Sequence, residues 1–234
     1  MNSESESTKP ELGTGESPGT DEELAPVPKN RETVFAQRAL LAGAILLAAA
    51  WLYDYYEPAI RHPPGILIFE EPRQSELTGR FWTLPGGYRI ETLATFSMRG
   101  LVLHTMRYTD DRAADLMPVD FVLGWGPMSD QRVLDRLSFD QSYRMYSWTQ
   151  HDDSHIVPDR EIIERSANMH MIPADDGVKA QLLAVKEGQI VSFEGELVQV
   201  TGPNRFFWRS SLSRTDSGPG GCELVWVKRL TVQE

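Results

Sequence analysis

The sequence predicts an α+β fold. A single N-terminal transmembrane helix should be followed by one domain that combines short helices with a partly closed, OB- or SH3-like β-barrel. Three observations support this prediction. Residues 39–53 read ALLAGAILLAAAWLY and contain no charge and no proline. Strand-like patterns follow one another from residue 190 to the C-terminus, and brief helical patterns lie between the earlier strand-like runs.

The first segment, residues 1–33, is an acidic tail that we expect to be disordered. Serine, glutamate, glycine, proline and threonine dominate it, and apolar side chains are scarce. A segment of this composition cannot bury enough apolar surface to offset the conformational entropy that folding would cost. A solvated tether is the expectation, and a docking role for the tail is the alternative.

The apolar stretch predicts a transmembrane helix over residues 34–56. A helix needs about 20 mostly apolar residues to cross a bilayer. Residues 34–36 extend the stretch, and the long stem of Arg38 can reach the headgroups. Two alternatives stay open: a cleaved signal peptide with its site at residues 48–50, and a buried helix of a soluble domain. An acidic preface of this length is atypical of a signal peptide, which favours an uncleaved signal anchor.

Charges beside this stretch predict its orientation. Lys29, Arg31 and Arg38 precede it, and Arg61 alone follows it closely. Positive residues stay on the cytoplasmic side of a membrane. We therefore expect a single-pass protein of the bacterial inner membrane, with a cytoplasmic N-terminus and a periplasmic domain.

Residues 57–234 are enough for one globular domain with a single hydrophobic core. The net charge of −11 argues against nucleic-acid binding, because proteins of that class carry clustered positive charge. Cys222 is the only cysteine, which excludes an intrachain disulfide. No cofactor is expected. The expected partners are the lipid bilayer and another envelope or membrane protein.

The domain begins with sequence patterns that are typical of strands. Residues 66–69 are a short apolar run, and residues 88–96 alternate between two faces after a proline and two glycines. Gly100 separates this second strand from a third at residues 101–106. We expect these three runs to be separate strands.

Two short helical pieces are predicted next, over residues 118–125 and 129–137, with Ser129 or Asp130 capping the second. Residues 143–148 alternate as a strand does. Pro158 is followed by a further short helical pattern, because proline is well suited to a helix start.

The last helix is predicted from its cap and its apolar face. Asp175 or Asp176 can cap it, and Val178, Leu182 and Val185 share one face. Gly188 is expected to end it. Strands are then predicted over residues 190–200, 206–211 and 222–232.

Three runs together resemble an uncharacterised group of bacterial single-span membrane proteins. They are GWGPMSD at residues 124–130, SANMHMIPA at 166–174 and SSLSRTD at 210–216. The resemblance covers the domain from about Tyr88 onward and leaves the tail out. It implies a bacterial membrane setting, and it implies no activity, cofactor or catalytic residue.

His170 is the strongest candidate for chemistry, because it lies in an apolar run beside Ser166 and Asn168. It could act as a general base oriented by Asp175 or Asp216. Its structural alternative is a buried imidazole that bonds to the backbone and pins the following turn. The position of the imidazole distinguishes the two roles, because a catalytic imidazole must face a cleft and lie within reach of a carboxylate.

Weaker candidates lie elsewhere. His151 and His155 could share a divalent metal ion, although a solvated loop is the simpler interpretation of that polar run. Trp125, flanked by two glycines, could display its ring for binding, or it could pack in the core.

We therefore carry two functional hypotheses. The first is a membrane-anchored, non-enzymatic binding or assembly module of the bacterial envelope. The second is a small envelope hydrolase centred on His170, with or without assistance from a metal ion.

Overall fold

The structure is a computed structural model that describes residues 31–55, 59–76, 79–151, 157–218 and 220–233. The chain divides into two compact units, Met1–Glu57 and Pro58–Glu234. Most of the predicted tail, residues 1–30, lies outside the described residues.

The prediction of one apolar N-terminal helix is confirmed. Helix α1 spans Arg31–Tyr55, and its segment Thr33–Ala50 has a mean hydropathy of 1.7. The described leucine and isoleucine side chains of this helix are exposed: Leu40 is 75% exposed and Leu47 is 73% exposed. An apolar helix with exposed side chains of this kind is compatible with a single-pass membrane anchor.

The second unit is mostly strands with short helices, so the α+β class is confirmed, whereas the OB- or SH3-like barrel stays a prediction. The strands are β1 (Arg73–Glu76), β2 (Phe81–Leu84), β3 (Tyr88–Arg107), β4 (Val119–Gly124), β5 (Leu137–Ser142), β6 (Met145–Gln150), β7 (Ser166–Pro173), β8 (Ile190–Gly202), β9 (Phe206–Arg209) and β10 (Glu223–Gln233). The helices are α2 (Gln131–Leu134), α3 (Asp159–Arg165) and α4 (Asp176–Ala184).

Five long strands pair in a cycle. Strand β3 pairs with β4, β4 with β7, β10 with β8, and β8 again with β3, all antiparallel. The link between β7 and β10 is parallel. Strands β1, β2 and β9 extend the edges of this sheet, and β5 and β6 form a separate hairpin.

Side chains alternate along these strands, so apolar residues are buried on both sides of the sheet. On β7, Met169 and Met171 join the main core cluster, together with Phe121 of β4. The side chains of α4 close the same cluster through Val178 and Leu182. The intervening residues of β4 and β7 therefore point away from this cluster, because successive strand residues face opposite sides. That second side holds the polar groups of interest.

Three predicted elements are wrong. Residues 118–125 contain strand β4 and not a helix, and all six residues of that strand are buried. A strand buried on both faces shows no period-2 alternation, so its sequence resembles a buried helix. Residues 66–69 are not a strand, since only an isolated bridge joins Ile66 to Asp130. Gly100 does not divide its strand, because β3 runs through it for 20 residues.

Candidate functional site

His170 of β7 and Asp120 of β4 form a buried pair on the side of the sheet that faces away from the main core cluster. We call this pair and the charged residues around it the buried centre. The two residues lie directly opposite each other in the β4–β7 ladder. Their side chains are 0% exposed, and His170 Nδ1 lies 2.8 Å from Asp120 Oδ2. No hydrogen bond joins these two atoms. Within the described residues neither His170 nitrogen has a hydrogen-bond partner, so the predicted bond from the imidazole to the backbone is not made. The His170 ring also meets the edge of Trp208 with ring centroids 4.7 Å apart.

Arg144 supplies the positive charge that Asp120 needs. Its Nη1 donates to Asp120 Oδ1 at 2.9 Å, and its Nε and Nη2 donate to the two carboxylate oxygens of Asp111 at 2.6 and 2.9 Å. The guanidinium also lies over the Tyr108 ring, 3.7 Å from the centroid. A buried carboxylate is tolerated only when it is paired, so Arg144 is the residue that makes this centre possible.

Charge and burial shift the pKa values at the edge of this centre. Burial first, and then the negative charge of Asp120, raises the pKa of Tyr108 above its ordinary value, so its phenol stays neutral. Burial alone would raise the pKa of Asp111. The hydrogen bonds from Arg144 and from the backbone amide of Ala113 outweigh burial and lower it. Asp111 is therefore ionised opposite Arg144.

An unusual turn delivers Arg144. The β5–β6 hairpin closes with a two-residue turn at Tyr143 and Arg144, whose φ angles are 51° and 65°. Turns of this kind normally use asparagine and glycine, because other side chains strain at positive φ. Tyr143 is 96% exposed while Arg144 is buried. The strained turn thus directs one side chain outward and the other into the centre.

Amide side chains fasten the hairpin to β7. Asn168 Nδ2 donates to the Arg144 carbonyl at 2.9 Å, and Asn168 Oδ1 accepts from Gln141 Nε2 at 2.7 Å. Cys222 lies beside them, with its Sγ 3.7 Å from Asn168 Nδ2. Burial raises the pKa of the Cys222 thiol to about 11, so the thiol stays protonated and is a poor nucleophile.

A cavity opens next to these amides. Its volume is about 290 Å³, and it lies between the β5–β6 hairpin, the first residues of β7 and the loop before β10. The chemically distinct lining residues are Tyr146, Trp148, Asp216, Arg214, Cys222 and Glu223. A concave site with aromatic walls and a few converging polar groups has the general character of a ligand pocket.

The lining of this cavity includes a buried, hydrogen-bonded pair, Glu223 and Arg214. Glu223 is 1% exposed, and Arg214 Nη1 donates to its Oε1. Burial raises the pKa of Glu223 to about 8, although the charge of Arg214 acts in the opposite direction. A carboxyl group that is largely protonated near neutral pH can both donate and accept a hydrogen bond.

This raised pKa predicts how stability depends on pH. A group whose pKa is higher in the folded state binds its proton more tightly there, so its stabilising contribution is complete below the ordinary pKa of 4.5 and is lost as pH rises through about 8. We expect the free energy of unfolding of the wild type to fall, relative to Glu223→Gln, by a few kcal/mol over that range. Urea unfolding at several pH values measures the difference.

The matched control is Glu194→Gln. Glu194 also pairs with an arginine, Arg229, but its side chain is 58% exposed. The free energy of unfolding of Glu194→Gln should therefore vary with pH in the same way as that of the wild type. Parallel curves for Glu223→Gln and the wild type between pH 5 and 8 would contradict the buried carboxyl described above.

The structure separates the residues that the sequence suggested for catalysis. Asp175 caps α4 by accepting from the Val178 amide at 2.8 Å, and Asp216 accepts from Ser211 Oγ at 2.7 Å. Within the described part of the chain, the close polar neighbour of His170 is Asp120 and not either of these carboxylates. His170 is enclosed and does not line the cavity, whereas Asp216 does. The catalytic roles stay predictions.

The structure also gives the positions of two other candidate residues, His151 and Trp125. His151 is exposed, and its Nε2 lies 2.5 Å from Ser138 Oγ. His155 lies outside the described residues. Among the described residues, no group of three or more histidine, cysteine, aspartate or glutamate side chains could hold a metal ion. Trp125 is 1% exposed, so its ring packs in the core and is not displayed for binding.

Sequence reasoning missed four residues that build the site: Asp120, Arg144, Arg214 and Glu223. One signal for Asp120 was present, since it interrupts an otherwise apolar run, VDFVLG, and a charge at such a position needs a partner. Arg144 gave no signal, because its turn contains no glycine or asparagine. Comparisons of the chain with known protein families, with curated proteins and with solved structures find no match.

Proposed function

We propose that this protein is a single-span envelope protein whose second unit is a non-enzymatic binding or assembly module. The observation that carries the proposal is an exposed aromatic surface, made by β2, β3, β8 and β9. Phe81 is 55% exposed and Phe207 is 61% exposed, and the Arg89 guanidinium lies 4.2 Å from the centre of the Phe81 ring. Exposed apolar surface with an arginine beside it is typical of protein interaction sites.

The registers of four strands align this aromatic surface. Thr83 pairs with Arg89, Arg89 with Thr201, and Thr201 with Phe207. Phe81 lies two residues from Thr83 on its strand and therefore on the same side of the sheet. The partner we propose is another envelope or membrane protein.

An OB-like barrel is part of the proposal. It is supported by the cycle of five paired strands, by the parallel link between β7 and β10, and by helix α4 between β7 and β8. OB-folds bind their ligands on the second and third strands and on the loops that follow the first and fourth strands. In this chain those are β4, β7, residues 108–118 and residues 203–222.

The burial of His170 supports binding over hydrolysis. A general base must reach the proton that it removes. The His170 ring is enclosed by Trp208 and Asp120 and faces no solvent. The Cys222 thiol is protonated at neutral pH for the reason given above.

The proposed location is the bacterial inner membrane, with the N-terminus in the cytoplasm and the second unit in the periplasm. A phosphatase fused after Glu234 should be active, because the charge bias exports that end of the chain. A cytoplasm-only fluorescent reporter at the same position should be dark. Fluorescence from the second fusion together with an inactive phosphatase would reverse the orientation.

Photo-crosslinking in living cells tests the binding surface. A photoreactive amino acid at Thr201, in the centre of the aromatic surface, should give one discrete adduct. The same amino acid at Thr231, an exposed threonine on β10, should not. Phe207→Ala and Phe81→Ala should reduce the Thr201 adduct without lowering protein abundance, because both rings are exposed. Equal adducts from Thr201 and Thr231 would contradict this surface.

A further inference from the structure

The cavity between the hairpin and the loop before β10 has an aromatic wall. Tyr146 and Trp148 form a tilted pair on β6 with ring centroids 5.7 Å apart. Tyr146 is held in place, because its hydroxyl lies 3.0 Å from Ser166 Oγ. Trp148 is half-buried, so part of its ring is free for contact. A fixed aromatic wall of this kind packs well against the C–H face of a ring-shaped ligand.

Two other lining residues, Glu223 and Arg214, have unused hydrogen-bonding capacity. Within the described residues, Glu223 Oε2 and the Nε and Nη2 groups of Arg214 are enclosed without a hydrogen-bond partner. Glu223 is also more than nine-tenths buried, and it lines the cavity. Enclosed polar groups without partners are rare in folded proteins and call for an explanation. A ligand that brings a donor and an acceptor side by side would satisfy both residues.

The position of the cavity narrows the ligand class. The β5–β6 hairpin supplies its aromatic wall, and part of its lining comes from the start of β7 and from the loop before β10. In the proposed OB-like arrangement, these are the third strand and the loop after the fourth, where such folds take oligosaccharides or oligonucleotides. Among the described lining residues, Arg214 is the one basic side chain, against Asp216 and Glu223. A polyanionic strand is therefore disfavoured, and a neutral ligand fits better.

We propose that this cavity binds a neutral glycan through an N-acetylated amino sugar. The acetamido N–H has a matching acceptor in Glu223, and the acetamido oxygen has matching donors in Arg214. The apolar face of the sugar packs on Trp148. The fold assignment rests on the proposed function, whereas the cavity and its unpartnered groups do not.

Titration of the purified full chain tests the proposal, in a detergent that has no sugar headgroup. The probes are triacetylchitotriose and cellotriose, which share a backbone and differ in the acetamido groups. Intrinsic tryptophan fluorescence or calorimetry gives the Kd of each. We expect triacetylchitotriose to bind at least about tenfold more tightly than cellotriose. No binding of triacetylchitotriose, or equal Kd values, would overturn the proposal.

Variants locate the binding. Trp148→Ala should raise the Kd by at least about tenfold, and Ser217→Trp, at an exposed rim position, should block the cavity without disturbing the core. The matched control is Trp82→Ala, since Trp82 is 45% exposed on β2 and lies outside the cavity. A glycan Kd that is unchanged in both Trp148→Ala and Ser217→Trp would refute the site.

Two further results distinguish a wrong ligand class from a wrong protein-binding function. A single-stranded DNA oligonucleotide that binds, and loses affinity in Trp148→Ala, would replace the glycan with nucleic acid and overturn the proposal. The Thr201 adduct described above does not involve the cavity. Loss of glycan binding with that adduct intact therefore refutes the ligand alone, whereas absence of the adduct alone refutes the protein-binding function.

Discussion

Replacing Arg144 with methionine is expected to lower the free energy of unfolding by about 3–5 kcal/mol. The substitution leaves the Asp120 carboxyl group 0% exposed and without the guanidinium that pairs with it. Removal of one partner from a buried ion pair costs far more than the pair itself contributes, because the remaining charge cannot regain its hydration. Methionine has a similar length and the same difficulty at positive φ, so the backbone strain of the turn is unchanged. Urea unfolding followed by tryptophan fluorescence measures the loss.

Arg160→Met is the matched control for this experiment. Arg160 pairs with Glu164 at 2.7 Å, a distance like those around Arg144, but its side chain is 84% exposed. Exposed pairs contribute little, so Arg160→Met should unfold at nearly the same urea concentration as the wild type. Adding Asp120→Asn to Arg144→Met should recover part of the large loss, because it removes the stranded charge. Losses of the same size for Arg144→Met and Arg160→Met would show that the buried centre is not charged as described.

His170→Ala is the second substitution with a large expected effect. It removes a fully buried ring that contacts both Trp208 and Asp120. We expect a loss of about 2–5 kcal/mol, mainly from the cavity that the missing ring leaves in the packed interior. Lower abundance in cells should follow, and an unrelated stabilising substitution should restore it. Thermal unfolding and immunoblotting measure the two effects.

The control for this substitution is His151→Ala, at an exposed histidine whose loss should change stability by less than about 0.5 kcal/mol. A His170→Ala protein with wild-type stability and no cellular function would contradict a structural role. That outcome would favour the hydrolase hypothesis, because active-site groups are seldom present for stability.

Local signals in the sequence predicted several elements correctly. Asp175 was expected as one of two possible caps, and the structure shows it accepting from the Val178 amide. The expected apolar face of α4 is buried at Val178, Leu182 and Val185. Strands β8, β9 and β10 also lie where the alternating patterns indicated. These features depend on residues close together in the chain, which is why a sequence can reveal them.

Features that depend on distant segments were not predictable in the same way. Strand β4 owes its conformation to pairing with β3 and β7, and burial on both faces removed its alternation. The site depends on His170 meeting Asp120, on Arg144 reaching both aspartates, and on Arg214 meeting Glu223. The sequence indicated that His170 is buried, but it did not indicate which residues lie beside it. The position of a charged residue in the sequence does not identify the residue with which it pairs.

The strained turn at Tyr143 and Arg144 has a consequence for folding kinetics. A two-stranded hairpin is marginal alone, and this one gains its fastening only after β4 and β7 present Asp120 and Asn168. The hairpin should therefore dock after the rate-limiting step of folding and detach first during partial unfolding. In hydrogen exchange, the amides of β5 and β6 should exchange together and well before those of β3 and β8. Strand β6 carries Trp148 of the cavity lining, so this aromatic wall belongs to the part of the domain that should open first.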